Sequence, residues 1–216
     1  MTRRRSVLVA VLASLPVLAS AQAPAPVAAP PPAPVVDPTV HRHLGFFLRL
    51  DGGVGYLSSS ASLEGIGASM SGVAIPFGIV IGGAVTENFI IAGDLWGMSA
   101  PSPSFTLAGQ TTSTSNSGFS LGGLGLNLTW YFMPANVYVS VTPSLVGLTL
   151  RGDGATHDSQ VGFGTKVGVG KEWWVGDHWG IGLAGQFFLG INNDTGVNPP
   201  TWTTLGGGLA FSATYN

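Results

Sequence analysis

The stretch Leu44-Gly45-Phe46-Phe47-Leu48-Arg49-Leu50-Asp51-Gly52-Gly53-Val54-Gly55-Tyr56 decides how the rest of the chain is read. Leu44, Phe46, Leu48, Leu50, Val54 and Tyr56 share one parity, and Gly45, Phe47, Arg49, Asp51, Gly53 and Gly55 share the other. Successive side chains of a strand point to opposite faces, so this segment has one apolar wall and one small or charged wall. A helix would set Arg49 beside Leu48 and Phe46 and leave no clean stripe.

The pattern recurs toward the C-terminus. Val73, Ile75, Phe77, Ile79 and Ile81 oppose Gly72, Ala74, Gly78 and Gly82. Phe89, Ile91 and Leu95 oppose Ala92 and Asp94, and Leu124, Leu126, Leu128, Trp130 and Phe132 oppose Gly123, Gly125, Asn127 and Thr129. Comparable alternation runs through Val137–Leu145, Val161–Gly170, Trp179–Ile191 and Thr204–Tyr215. Gly65–Thr86 carries no charge and could pass for a spanning helix by hydropathy alone, but its glycines, Pro76 and period of two predict a strand. Pro76 and Pro143 each lack an N–H for a ladder, so each is expected at a bulge or a rim.

Composition narrows the setting of these strands. Charged residues make up 8% of the chain and hydrophobic residues 45%, where soluble domains carry about 25% charge. Arg3, Arg4 and Arg5 precede an apolar run, Ser6–Leu18, and the small residues Ala19-Ser20-Ala21, which reads as a signal peptide over 1–21. Residues 22–43 form a Pro/Ala-rich linker of extended, disordered character. Without the three leading arginines the eight basic residues become five against ten acidic ones, which argues against a nucleic-acid partner. The absence of cysteine excludes disulfides and thiolate metal sites.

Residues 44–216 are therefore expected to close into an all-β, eight-stranded antiparallel up-and-down transmembrane barrel. Short turns fall at Thr86–Asn88, Met133–Asn136 and Val175–His178, and longer polar connections at Ser58–Ser69, Ala100–Ser117, Gly152–Ser159 and Asn192–Pro200. Outer-membrane barrels alternate short periplasmic turns with longer outside loops in this way. The polar face holds too few charges to solvate a globule and suits a narrow interior, so the apolar face is assigned to lipid. Phe46, Phe89, Trp130, Phe132, Trp173, Trp179 and Tyr215 fall near the ends served by short turns and form an expected periplasmic aromatic girdle, with Lys171 reaching headgroups beside it.

With these features the chain resembles the small outer-membrane β-barrel families of the OmpA transmembrane domain, OmpX and OmpW, over Leu44–Asn216. The resemblance rests on the strand count, the turn alternation and the last strand, Leu209-Ala210-Phe211-Ser212-Ala213-Thr214-Tyr215-Asn216. It implies a Gram-negative outer-membrane location, outer-membrane lipid and the barrel-assembly machinery as partners, and Phe211 with Tyr215 as the assembly signal. Tyr215 stands one residue from the end, a departure from the terminal aromatic of that group.

Ionisable residues on the inward parity are the sharpest features. Arg49, Asp51, Asp94, Lys166 and Glu172 are expected to form a paired charge network in the lumen, since a lone charge there costs several kcal/mol. Eight strands enclose a space that side chains just fill, so the network is expected to plug the barrel. The expected function is structural or surface-interacting, with an extracellular partner engaged through the loops; the alternative is a narrow channel or carrier for small or apolar solutes. No catalytic, metal or cofactor site is expected. His157-Asp158-Ser159 is the one acid–base cluster, and neighbours in sequence rarely converge. Gly168-Val169-Gly170-Lys171 lacks the spacing and the Ser or Thr of a phosphate loop.

Overall fold

The computed structural model describes residues 42–216 except 64, 114, 115, 153 and 197. The expected signal peptide over 1–21, and the linker as far as residue 41, lie outside the described residues. Eleven strands follow one another: β1 (Phe46–Leu63), β2 (Ile66–Thr86), β3 (Phe89–Ala100), β4 (Ser104–Leu107), β5 (Gln110–Ser113), β6 (Ser117–Phe132), β7 (Val137–Gly152), β8 (Ala155–Asp158), β9 (Gly162–Trp174), β10 (Trp179–Asn193) and β11 (Thr201–Tyr215). Eight of them close a ring in the order β1-β2-β3-β6-β7-β9-β10-β11, because β1 pairs antiparallel with both β2 and β11. Closure leaves no sheet edge, the condition for a sheet to cross hydrocarbon.

Both walls follow the parity read from the sequence. Leu50, Val54, Tyr56, Ile75, Ile79, Leu124, Leu126, Phe163, Leu183 and Phe211 are 40–74% exposed on the outer wall. Phe47, Arg49, Val80, Asp94, Asn127, Thr142, Lys166 and Phe188 are buried inside. In water such an apolar jacket would exceed by far the patch a soluble monomer exposes; against lipid it is the expected surface.

The ring strands exceed the 9–11 residues that span a bilayer, and their surplus lies at the long-loop end. Three of the long polar connections are largely paired there. Ser58–Ser69 belongs to a β1–β2 hairpin that holds register down to Leu63↔Ile66. Ala100–Ser117 contains the β4–β5 hairpin, with β4 laid against β2, and Gly152–Ser159 contains β8, paired with β7. Outside hydrocarbon neither face need be apolar, so β5 and β8 carry no hydropathy period, and that of β4 runs for four residues only.

Pro76 and Pro143 form neither bulges nor rims. Both lie mid-strand and in register, Pro76 opposite Met98 and Pro143 opposite Thr165. On the other flank each ladder skips two pairs without shifting: β1–β2 passes from Gly52↔Phe77 to Gly55↔Ala74, and β6–β7 from Gly125↔Ser144 to Leu128↔Val141. A proline lacks one donor, aimed at one neighbour, so only that neighbour's ladder is interrupted. The register shift that does occur lies between Ala84 and Thr86, beside a short turn.

Candidate functional site

The lumen is filled in layers. At the short-turn end His43 is fully buried rather than part of a linker. Its ring stacks on Tyr131 at 3.6 Å, and Phe47 and Trp174 lie beside it. His43 Nε2 lies 2.8 Å from Asn136 Oδ1 and Nδ1 lies 3.0 Å from Asn216 Oδ1, while its backbone N–H donates to Asn88 Oδ1. Asn88 and Asn136 hold the positive φ values of two tight turns, 64° and 51°, a conformation asparagine tolerates. The residues that make these turns thus also clasp the segment entering the barrel.

Above this layer, Asp94 and Lys166 are the one pair in direct contact among the five expected lumen charges, and Glu172, Asp51 and Arg49 each have neutral partners. Lys166 Nζ lies 2.8 Å from Asp94 Oδ2, and both side chains are almost wholly buried. Asp94 also accepts from Thr142 Oγ1 at 2.9 Å, Asn127 Nδ2 bridges to Thr142, and Thr129 donates to Asn127. Glu172 accepts from Thr214 Oγ1 at 2.6 Å and from Tyr131 at 3.1 Å. Asp51 accepts from Gln186 Nε2 at 3.0 Å. Arg49 makes no ion pair among the described residues. Its guanidinium lies over Tyr138, 4.5 Å from the ring centroid, and 5.7 Å from that of Phe47. A desolvated cation over an aromatic face gains about 2 kcal/mol.

The upper lumen is mostly apolar, with Ser59 bonded to Thr204 and Asn192 to the Val146 carbonyl among its buried polar groups. Leu57, Met98, Leu121, Val146, Leu148 and Phe188 pack around Trp96, whose indole N–H donates to Ser144 Oγ at 2.9 Å. The inward glycines seat these groups. A Cβ on Gly123 would meet the Trp96 ring at 2.6 Å, one on Gly170 would meet Tyr138 at 2.6 Å, and one on Gly190 would meet Leu121 at 2.7 Å. Each large side chain lies in a slot that a glycine leaves open on a facing strand.

The expected girdle residues meet at the short-turn end. Phe46 and Trp179 approach Tyr215 at 6.3 and 5.2 Å between ring centroids, and Phe89 lies 5.5 Å from Trp130. Phe132 and Trp173 sit half exposed on the outer wall. Lys171 Nζ donates to Ala135 O at 2.5 Å, 5.6 Å from the Trp173 ring. On β11, Phe211 is 72% exposed and Tyr215 half-buried.

At the long-loop end His157, Asp158 and Ser159 diverge. His157 Nε2 reaches Asp194 Oδ1 at 2.6 Å, Asp158 accepts from Thr149, and Ser159 donates to the Gln160 carbonyl. Burial pushes the Asp194 carboxyl up, but His157, the Thr195 amide and the Trp202 indole all bond to it and hold it below its usual range. The sequence offers no cue to this partner, 37 residues away. His157 and Asp194 form a clasp between loops, while Asp158 and Ser159 bond within or beside their own hairpin.

Among solved structures the chain is similar to Neisserial surface protein A, with a TM-score of 0.54 and 18% identity over 79% of this chain and 96% of that one. It also aligns with the outer membrane protein OprG from Pseudomonas aeruginosa, at a TM-score of 0.44 and 13% identity over 81% of this chain and 98% of that one. No protein-family model matches the chain, and no curated protein is similar in sequence. The likeness to the Neisserial protein is one of fold, and in its closed ring, apolar jacket and filled interior this chain is a small eight-stranded β-barrel of the outer-membrane type.

Proposed function

We propose that the protein is an integral outer-membrane barrel that works through its long-loop end, with a closed lumen and no catalytic role. In this reading residues 1–21 are a cleaved signal peptide, the short turns face the periplasm, and the aromatic girdle with Lys171 anchors that interface. The barrel-assembly machinery then reads Phe211 and Tyr215 on the last strand, and the outer-membrane lipid covers the apolar wall.

The observation that carries the closed lumen is the succession of buried layers. His43, Phe47 and Tyr131 lie at one end, Asp94 and Lys166 in the middle, and Trp96, Leu121 and Phe188 above, each no more than 3% exposed. An eight-stranded ring has room for such side chains and little else. The apolar upper half is what the alternative, a carrier for apolar solutes, would use, but it is underlain by the charged and aromatic layers.

Conductance of the purified, folded protein in planar bilayers tests this reading. The expected record is a flat baseline with no steady steps. Large stable channels from the wild-type chain would overturn it and favour the carrier.

A further inference from the structure

Two hollows meet at Arg151, at the long-loop end. The first, about 350 Å³, is walled by Met70, Phe105, Leu150 and Ala155. The second, about 360 Å³, is bordered by Ser99, Asn116 and Ser120. Ser117, Gly118 and Arg151 line both, and no carboxylate lines either among the described residues. Arg151 is exposed and makes no ion pair among the described residues, whereas His157, on the edge of the first hollow, is held by Asp194.

An apolar hollow next to a polar one, with an unpaired cation where they join, matches a molecule of the same construction. The apolar walls are stabilised by leaving water when an alkyl chain covers them. The planar guanidinium presents paired N–H donors that suit a carboxylate. At the small end of the range for ligand pockets, about 300–1,000 Å³, the first hollow takes one chain rather than a multi-chain lipid.

We propose that this mouth binds a single-chain anionic amphiphile, with its alkyl chain against Met70 and Leu150 and its carboxylate on Arg151. The proposal rests on the reading of the long-loop end as the working surface, but not on the closed lumen. The group enters from outside and stops above Trp96 and Phe188.

Methionine methyl resonances report on the site. In folded protein in lipid nanodiscs labelled with [13C-methyl]methionine, Met70 lies in the hollow and Met133 at the opposite, short-turn end. Titration with sodium dodecanoate is expected to shift Met70 saturably and leave Met133 in place. Arg151→Gln is expected to weaken the binding about tenfold, the scale of a lost charge-assisted bond. Ala155→Trp, which fills the hollow from an exposed position on β8, is expected to abolish the shift. Dodecyl maltoside, of equal chain length and no charge, is expected to bind at least as weakly as dodecanoate does to the Gln variant. A silent Met70, or equal shifts with both amphiphiles that Arg151→Gln leaves unchanged, would overturn the proposal. Conductance measured on the same preparation reads the closed lumen separately, since a barrel that conducts can still show the Met70 response and a sealed one can lack it.

Discussion

Lys166 and Asp94 hold each other inside a layer that hydrocarbon surrounds on every side, and their worth depends on both being present. Asp94→Ala leaves a buried ammonium without its counter-charge. Breaking such a pair costs about 3–5 kcal/mol, whereas replacing both partners by apolar groups of similar volume is near neutral or better. In guanidinium unfolding of the barrel from lipid vesicles, Asp94→Ala is therefore expected to lower the stability by roughly that amount. The double variant Asp94→Leu with Lys166→Met is expected to recover most of it. Equal losses in the single and double variants would show that the layer is held by something other than the pair. The residue types of this layer were legible in the sequence, because parity alone turns Asp94 and Lys166 inward. Their partnership was not, since it crosses 72 residues and depends on the register of strands that never touch. His43 was hidden for a different reason. One residue ahead of the first strand has no period to betray it, and its partners Asn136 and Asn216 come from a distant turn and the last residue.

At the scale of the strand, the two prolines show how a barrel tolerates a missing donor. Pro143 keeps its ladder to β9 and loses two pairs to β6, so the defect is one-sided and the register survives. Pro143→Ala restores an N–H aimed at β6. One backbone hydrogen bond contributes about 0.5–1.5 kcal/mol net, and in hydrocarbon no water competes for the groups left open. The variant is expected to unfold at higher denaturant and to slow amide exchange at Leu126, with no change at Thr165 on the intact side. Unchanged exchange at Leu126 would mean that the gap belongs to the curvature of the sheet and not to the proline. Strand existence and facing were readable from period two because lipid and a filled interior demand opposite surfaces. β5 and β8 were not readable, since water accepts polar residues on either face and leaves no alternation to find, and the alternation of β4 is only four residues long.

On the proposed closed lumen the molecule as a whole is a stack of seals in series, and that arrangement predicts how it can be opened. Ions crossing the lumen must pass the Trp96–Phe188 layer, the Asp94–Lys166 layer and the Tyr131–His43 layer one after another. Barriers in series are set by the highest that remains, so removing one leaves the passage shut. Trp96→Ala with Phe188→Ala empties the upper layer and should leave bilayer recordings silent, as should His43→Ala with Tyr131→Ala at the other end. These truncations each cost about 3–5 kcal/mol where a large core side chain is lost, so folding of every variant is checked by heat-modifiable gel mobility before recording. Only when the upper and lower truncations are combined, with Asp94 and Lys166 also reduced to alanine, is a steady conductance expected, and it should be small because the backbone ring is unchanged. Channels from either double variant alone would show that a single layer carries the whole seal. Silence from the sixfold-truncated, folded barrel would show that the inward side chains that remain, among them Phe47, Tyr138, Met98 and Leu121, are enough to close the ring.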